Sequence, residues 1–353
     1  MTQTKQRETW LDVLRILAAF LVIVNHTNSK LFQSSDPSAL QWWVSVLCYY
    51  LSKTAVPLFV MISGACLLDR QESWKRALQR AGRALAALLV FSYLYFLHDC
   101  WVSYGLWPRA LRLDLLLSQV WNQQITEGFW YLSFYIGLML MLPLLQRMAQ
   151  GMQKRDYLWL MGLCLLVDGL FPLIAHYVPE AALPDSLQTP LFTGYIGLFF
   201  AGHFIRSQLA VTPRMRKGAA LGLMICLGLS LWLTYLEYFR VEAGEPYWFM
   251  DDKLHPSLFT CISALCLMLL FKQAGQQFSP KAKGLLCELS CCAFGVYLWQ
   301  DWVILQTVRR LYLPLSQTIA PICAMLVWIG TVSLLSLAAA WITRRIPGLR
   351  RIV

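Results

Sequence analysis

Apolar runs of roughly 16 to 26 residues recur from one end of the chain to the other, separated only by short polar stretches. Their length fits bilayer-crossing helices, near residues 11–28, 41–68, 84–106, 129–146, 157–177, 191–206, 218–239, 256–272, 285–308 and 318–343. The pattern predicts an all-α, polytopic integral membrane protein, about ten transmembrane helices around a polar cavity, in one domain over residues 1–353. Residues 41–68 read either as one long tilted helix or as an interfacial helix followed by a span. The first run is too long for a removed signal peptide, lacks a small-residue cleavage site and contains Arg15, so it reads as the first span.

Composition agrees: of 353 residues, 58% are hydrophobic and only 14% charged, where a soluble domain carries about a quarter charged residues. The net charge of +11 raises the question of nucleic acid, but its distribution points to a bilayer. Basic residues gather in alternate loops, at Lys5 and Arg7, Arg70 to Arg83, Arg147 to Arg155, Arg206 to Lys217, Lys272 to Lys283, and Arg344 to Arg351. The other loops carry mostly acids: Asp36, Asp114, Glu180, Asp185 and the segment Glu242 to Asp252. The positive-inside rule then places both termini in the cytoplasm and the chain in the inner (cytoplasmic) membrane. Arg309 and Arg310 fall on the wrong side of this scheme. Eleven cysteines fall nearly all within spans and make no zinc-type CxxC pair, so they read as small buried hydrophobes. No metal site is expected: His176, His203 and His255 are scattered. No Walker A, GxGxxG or HExxH sequence is present.

Within the first run, Arg15 and His26 stand eleven residues apart. At ~100° per residue they return to within about 20° of one another, and at 1.5 Å rise they are roughly 16 Å apart along the axis. Asp12, one turn before Arg15, can pair with it. Two readings fit. Asp12 and Arg15 can snorkel at the interface while His26 caps the far end. Alternatively, ionisable groups buried in a bilayer face a polar cavity and carry chemistry. Asp168, Glu237 and Glu288 also lie in or near spans, with no role assigned.

Five segments decide between the two readings. Asp12, Arg15 and His26 form D-x-x-R, ten residues, then His. Val56-Pro57-Leu58-Phe59-Val60-Met61-Ile62-Ser63-Gly64 ends a Phe-rich run in Ser-Gly. Lys75-Arg76 through Arg80 and Arg83 contains an RxxR pair. Phe129-Trp130-Tyr131-Leu132 precedes Leu142-Pro143-Leu144, and Leu289-Ser290 leads to Phe294-Gly295-Val296-Tyr297-Leu298. In this order they resemble the membrane acyltransferase-3 family of sugar and glycan O-acetyltransferases, over about residues 8–340. The Val-Pro-Leu-Phe and Met-Ile-Ser-Gly wording is similar to the branch of the enterobacterial common antigen O-acetyltransferases. In two places the chain departs from the family: Gly128 and Gln300 stand where a histidine is usual.

The resemblance implies transfer of an acetyl or other short acyl group from cytoplasmic acyl-CoA to a hydroxyl of an extracytoplasmic or lipid-linked glycan. Acetyl-CoA is then a donor substrate, and no permanently bound cofactor is implied. It implies His26 as general base or transient acetyl carrier, with Arg15 and Asp12 beside it. Arg80, Arg83 and Arg76 would hold CoA phosphates, while Ser63, Trp130, Tyr297 and Gln300 would line the cavity. For the basic loop alone, plain topology or anionic-lipid binding fits too. His98, Asp99 and the acidic segment with Trp248 are candidates for acceptor binding or solvated loop. A ten-span transporter, or a silent partner in polysaccharide assembly, are the functional alternatives. A homo-oligomer is compatible with the sequence.

Overall fold

The computed structural model describes residues 7–28, 31, 35–104, 112–123, 125–184, 194–240 and 257–353. Lys5, Asp185, the segment Glu242 to Asp252 with Trp248, and His255 lie outside the described residues. Within them the chain is helical, with no strand. In chain order the helices are α1 (Thr9–Asn28), α2 (Leu40–Lys53), α3 (Ala55–Leu67), α4 (Trp74–Asp99), α5 (Leu113–Trp121), α6 (Trp130–Gly151), α7 (Lys154–Cys164) and α8 (Phe171–Tyr177). Then come α9 (Gly194–Ser207), α10 (Pro213–Arg240), α11 (Leu258–Phe271), α12 (Pro280–Thr307), α13 (Leu313–Ser316) and α14 (Pro321–Thr343). Single π turns follow α4, α7 and α12, at Cys100–Tyr104, Leu165–Leu170 and Val308–Tyr312.

Eight helical stretches among the described residues are long and apolar enough to cross a membrane. At the other two expected spans the described helices, α9 and α11, have 14 residues each. The start of α11 is fixed by Ser257, whose side chain accepts the Thr260 N–H. The stretch 41–68 resolves as one 28-residue apolar span broken at Thr54, between α2 and α3. Pro57 lies three residues past the break and has no N–H to bond the Lys53 carbonyl, which accounts for the interruption.

The basic stretch 75–83, expected as a loop, is instead the first turns of α4. Charge ended the apolar run there, but Ala, Leu, Arg, Lys and Gln are all strong helix formers, and the helix continues through them from Trp74. Arg76, Arg80 and Arg83 therefore follow one another at helical spacing.

Small residues let the helices approach closely. A Cβ on Gly64 would stand 1.8 Å from the Phe199 carbonyl oxygen, and one on Gly202 would stand 1.9 Å from that of Met61. The two glycines make a reciprocal crossing of α3 and α9, the small-residue packing usual between membrane helices. Ser63 and Gly64 thus divide their labour: one faces a cavity and the other admits a neighbouring helix.

A polar cluster ties the basic ends of five helices together, α1, α3, α7, α9 and α11. Arg206 at the end of α9 donates to Glu8 at 2.7 Å, to Asp69 at 3.3 Å and to the Ala65 carbonyl at 2.5 Å. His203 bridges Asp69 and the Tyr157 hydroxyl at 2.8 Å each. Lys272, just past α11, donates to the carbonyls of Ile205, Arg206 and Leu209, a cation at a helix C-terminus. Of the acids noted in spans, Glu237 meets His176 and Arg240, and Glu288 is exposed.

Candidate active site

Helices α1 and α12 run parallel and are joined by two polar rungs. At the lower rung Arg15 donates to Asp12 at 3.0 Å and to the Ser290 hydroxyl at 2.9 Å. Ser290 donates in turn to Asp12 at 2.7 Å. At the upper rung His26 Nδ1 lies 2.6 Å from Asp301 Oδ1. The spacing explains the match: His26 follows Arg15 by eleven residues and Asp301 follows Ser290 by eleven. Equal steps on two parallel helices give each rung its partner.

The lower rung is crowded with donors. Arg7, just before α1, reaches both Asp12 oxygens at 2.8 Å. The nearby Asp12 carboxylate raises the Arg7 pKa above its ordinary value. Asp12 is buried, and these bonds satisfy its charge.

At the upper rung Asp301 is buried and accepts two further hydrogen bonds, from Thr126 at 2.5 Å and from Gln300 at 2.8 Å. Gln300 Nε2 also approaches His26 Nδ1 at 3.4 Å. A Cβ on Gly128 would fall 2.9 Å from Asp301 Oδ2 and 3.5 Å from His26 Cε1. Any side chain at 128 would therefore intrude on the His26–Asp301 pair, and glycine is required by that close approach. Tyr95 of α4 steadies the same stretch of α12. Its hydroxyl accepts the Trp302 N–H at 2.7 Å and donates to the Leu298 carbonyl at 3.1 Å. Tyr297 donates to the Gly128 carbonyl at 2.6 Å, pinning the start of α6 to α12.

Two cavities meet between the rungs. A basic cavity of about 340 Å³ is bordered by Arg15, Arg80, Arg83 and Arg351, with Ser63 and Ser290 on its wall. A smaller pocket of about 60 Å³ holds His26, Asn25, Gly128 and Trp130. Phe59, Tyr131 and Tyr297 line both, so three aromatic rings form the partition.

The structure thus brings together Arg15, Ser63, Arg80, Arg83 and Tyr297 around one cavity, with Asp12 buried behind Arg15, and His26, Trp130 and Gln300 around the upper rung. Arg76 is exposed and does not line the basic cavity. Arg80 is already engaged: Glu72 accepts two hydrogen bonds from it, at 2.8 and 2.7 Å. The Arg80 guanidinium holds the Glu72 carboxyl below the ordinary glutamate range. Among the described residues Arg83 has only the Gln79 carbonyl, at 3.3 Å.

Sequence reasoning missed Asp301, Thr126, Arg7 and Arg351. Asp301 had left a signal, a carboxylate inside the apolar run 285–308 at the Arg15–His26 spacing from Ser290. Thr126 and Arg351 left none, since only folding brings them to these cavities.

A family model described as an acyltransferase domain, the acyltransferase-3 model, matches residues 8–345. Comparison with curated proteins and with solved structures gives no significant match to either. A membrane-spanning helical body with a match of this extent leaves one conclusion: the chain belongs to the acyltransferase-3 family and is a membrane acyltransferase.

Proposed function

We propose that the protein moves an acetyl group, or another short acyl group, from acyl-CoA to a hydroxyl of an extracytoplasmic or lipid-linked glycan. The observation that carries this reading is the pair of cavities sharing Phe59, Tyr131 and Tyr297, one lined by arginines and the other by His26. The anionic donor enters the basic cavity from the cytoplasmic end, its phosphates on Arg83, Arg80 and Arg15. Its thioester reaches the aromatic partition, and the acceptor hydroxyl arrives beside His26. Asp12 acts as a positioning residue that holds the Arg15 guanidinium on the cavity wall. Both termini lie in the cytoplasm and the membrane is the inner one, as the basic loops imply. The enterobacterial common antigen branch is the subgroup this reading favours, on the wording of residues 56–64.

Asp301 on Nδ1 sets the tautomer in which Nε2 bears the lone pair. Nε2 takes the proton of the acceptor hydroxyl as its oxygen bonds the thioester carbonyl carbon. The carbon–sulfur bond then breaks, and the departing CoA sulfur receives that proton from the imidazolium. Products are the O-acyl glycan and free CoA, with His26 neutral again. Gln300 cannot exchange a proton near neutral pH; its amide serves to hold Asp301.

The test is transfer of radiolabel from [14C]acetyl-CoA, added to inside-out membrane vesicles, into the glycan fraction. Label dependent on wild-type protein and absent with His26→Ala is expected. Equal labelling by a folded His26→Ala variant removes the reading. For orientation, a cysteine replacing Gln79 in a protein stripped of its eleven native cysteines is expected to resist an impermeant thiol reagent in intact cells. Labelling there inverts the scheme.

A further inference from the structure

Beyond the upper rung, a cavity of about 1130 Å³ opens between the ends of α4 and α12 and the start of α14. It is over three times the volume of the basic cavity, at about 340 Å³. Its ionisable lining residues are Arg309, Arg310, His98 and Asp99, two full cations against one acid. Arg309 and Arg310 are exposed, and among the described residues neither guanidinium has a hydrogen-bond or ion-pair partner. Both sit in the Val308–Tyr312 π turn that ends α12, and the Cys100–Tyr104 π turn ends α4 at the same cavity. Single π turns of this kind are frequent at functional sites.

The two arginines also stand on the side of the bundle from which basic residues are otherwise depleted. Nothing in the positive-inside rule puts them there, and among the described residues no carboxylate holds them, so both guanidiniums stand open to an anionic ligand. The rest of the wall suits a sugar: Gln306 donates to His98 Nε2 at 2.6 Å, and Tyr312, Gln119 and Ser316 add hydrogen-bonding groups.

We propose that this cavity binds the acidic portion of a glycan acceptor, a sugar bearing a carboxylate or phosphate, with Arg309 and Arg310 holding the anion. The role as acceptor rests on the acyl-transfer reading above. Arg309 and Arg310 follow Asp301 by eight and nine residues, about 12 Å of helix rise. The anion is therefore held away from the hydroxyl that reacts and selects the acceptor by a neighbouring group. Planar guanidiniums grip such an anion through paired hydrogen bonds. Because both are exposed, the grip weakens with salt.

The test uses the full chain in nanodiscs of phosphatidylcholine, which supplies no anionic lipid, with calorimetric titration of two probes of equal length. One is a hyaluronan tetrasaccharide, which is acidic; the other is chitotetraose, which is neutral. The acidic probe is expected to bind about tenfold more tightly, and R309Q/R310Q to remove that preference while leaving thermal unfolding unchanged. His26→Ala should keep the preference, so the result stands whether or not acyl transfer does. Equal binding of both probes, or an unchanged preference in R309Q/R310Q, overturns the proposal. So does a result in which neither sugar binds but phosphatidylglycerol nanodiscs stabilise the wild type and not R309Q/R310Q. The anion would then be a lipid headgroup.

Discussion

The two rungs between α1 and α12 are built to the same spacing and to different ends. At the lower rung one carboxylate, Asp12, is surrounded by Arg7, Arg15 and Ser290. At the upper rung one carboxylate, Asp301, is shared by an imidazole, a hydroxyl and an amide. Two guanidiniums keep their charge at every accessible pH, so the lower rung fixes charge in place. An imidazole can give and take a proton, so the upper rung moves charge. Identical helix geometry thus yields a fixed anchor at one depth and a proton-exchanging pair at the other.

Substitutions at the upper rung should separate the two roles most sharply. His26→Ala is expected to lower the transfer rate by about 10²–10⁴, the usual range for a general base, with thermal unfolding nearly unchanged. Asp301→Asn keeps the volume and removes the carboxylate, and should cost about 10² in rate through the wrong tautomer or a misaimed ring. Gly128→Ala is expected to act in the same direction, because its Cβ meets Asp301 Oδ2 at 2.9 Å. Initial rates of [14C]acetyl transfer, measured beside unfolding curves, check all three. If they lower stability as much as rate, the upper rung is an anchor like the lower one.

Asp12→Asn should fail the other way. It leaves two guanidiniums facing an amide, and each hydrogen bond to a charged group carries ~1.5–3 kcal/mol. Part of that is lost to solvent screening because Arg7 and Arg15 are partly exposed. A loss of about 2 kcal/mol in stability is expected, with transfer by the remaining folded protein falling far less than for His26→Ala.

How much of this contrast the sequence disclosed depends on how far apart the partners lie. The spans, the shared face of Arg15 and His26, and the Asp12–Arg15 pair are local, and helix periodicity reveals them directly. Ser63 and Tyr297 came from ordered motifs and do line the basic cavity. What escaped is long-range: Asp301 is 275 residues from His26, and Thr126 is 175 from Asp301. Gly128 could be named from sequence but not understood, since its meaning lies in the carboxylate that crowds it. The basic stretch 75–83 was misjudged for another reason. Charge marks where the bilayer ends and says nothing of where a helix does.

A smaller effect sharpens the comparison at the donor cavity, where Arg80 and Arg83 differ as the rungs do, one engaged and one available. Glu72 takes two hydrogen bonds from Arg80, so a phosphate must compete with a carboxylate already in place. Arg83 has one long bond to a backbone carbonyl, and a phosphate can take its guanidinium at little cost. Arg83→Ala is therefore expected to weaken CoA binding by about tenfold, and Arg80→Ala by less. Glu72→Gln should shift the balance, because an amide competes less well for the guanidinium and the net positive charge of the cavity mouth rises by one. CoA affinity of that variant, measured by calorimetry at low and high salt, should exceed wild type by a few-fold, with a steeper salt dependence. Arg83→Lys should recover part of the loss, since the charge remains and the planar fork does not. Equal losses for Arg80→Ala and Arg83→Ala, with no gain for Glu72→Gln, would mean that the Glu72–Arg80 pair opens freely. In that case the engaged arginine is as available to the donor as the unengaged one.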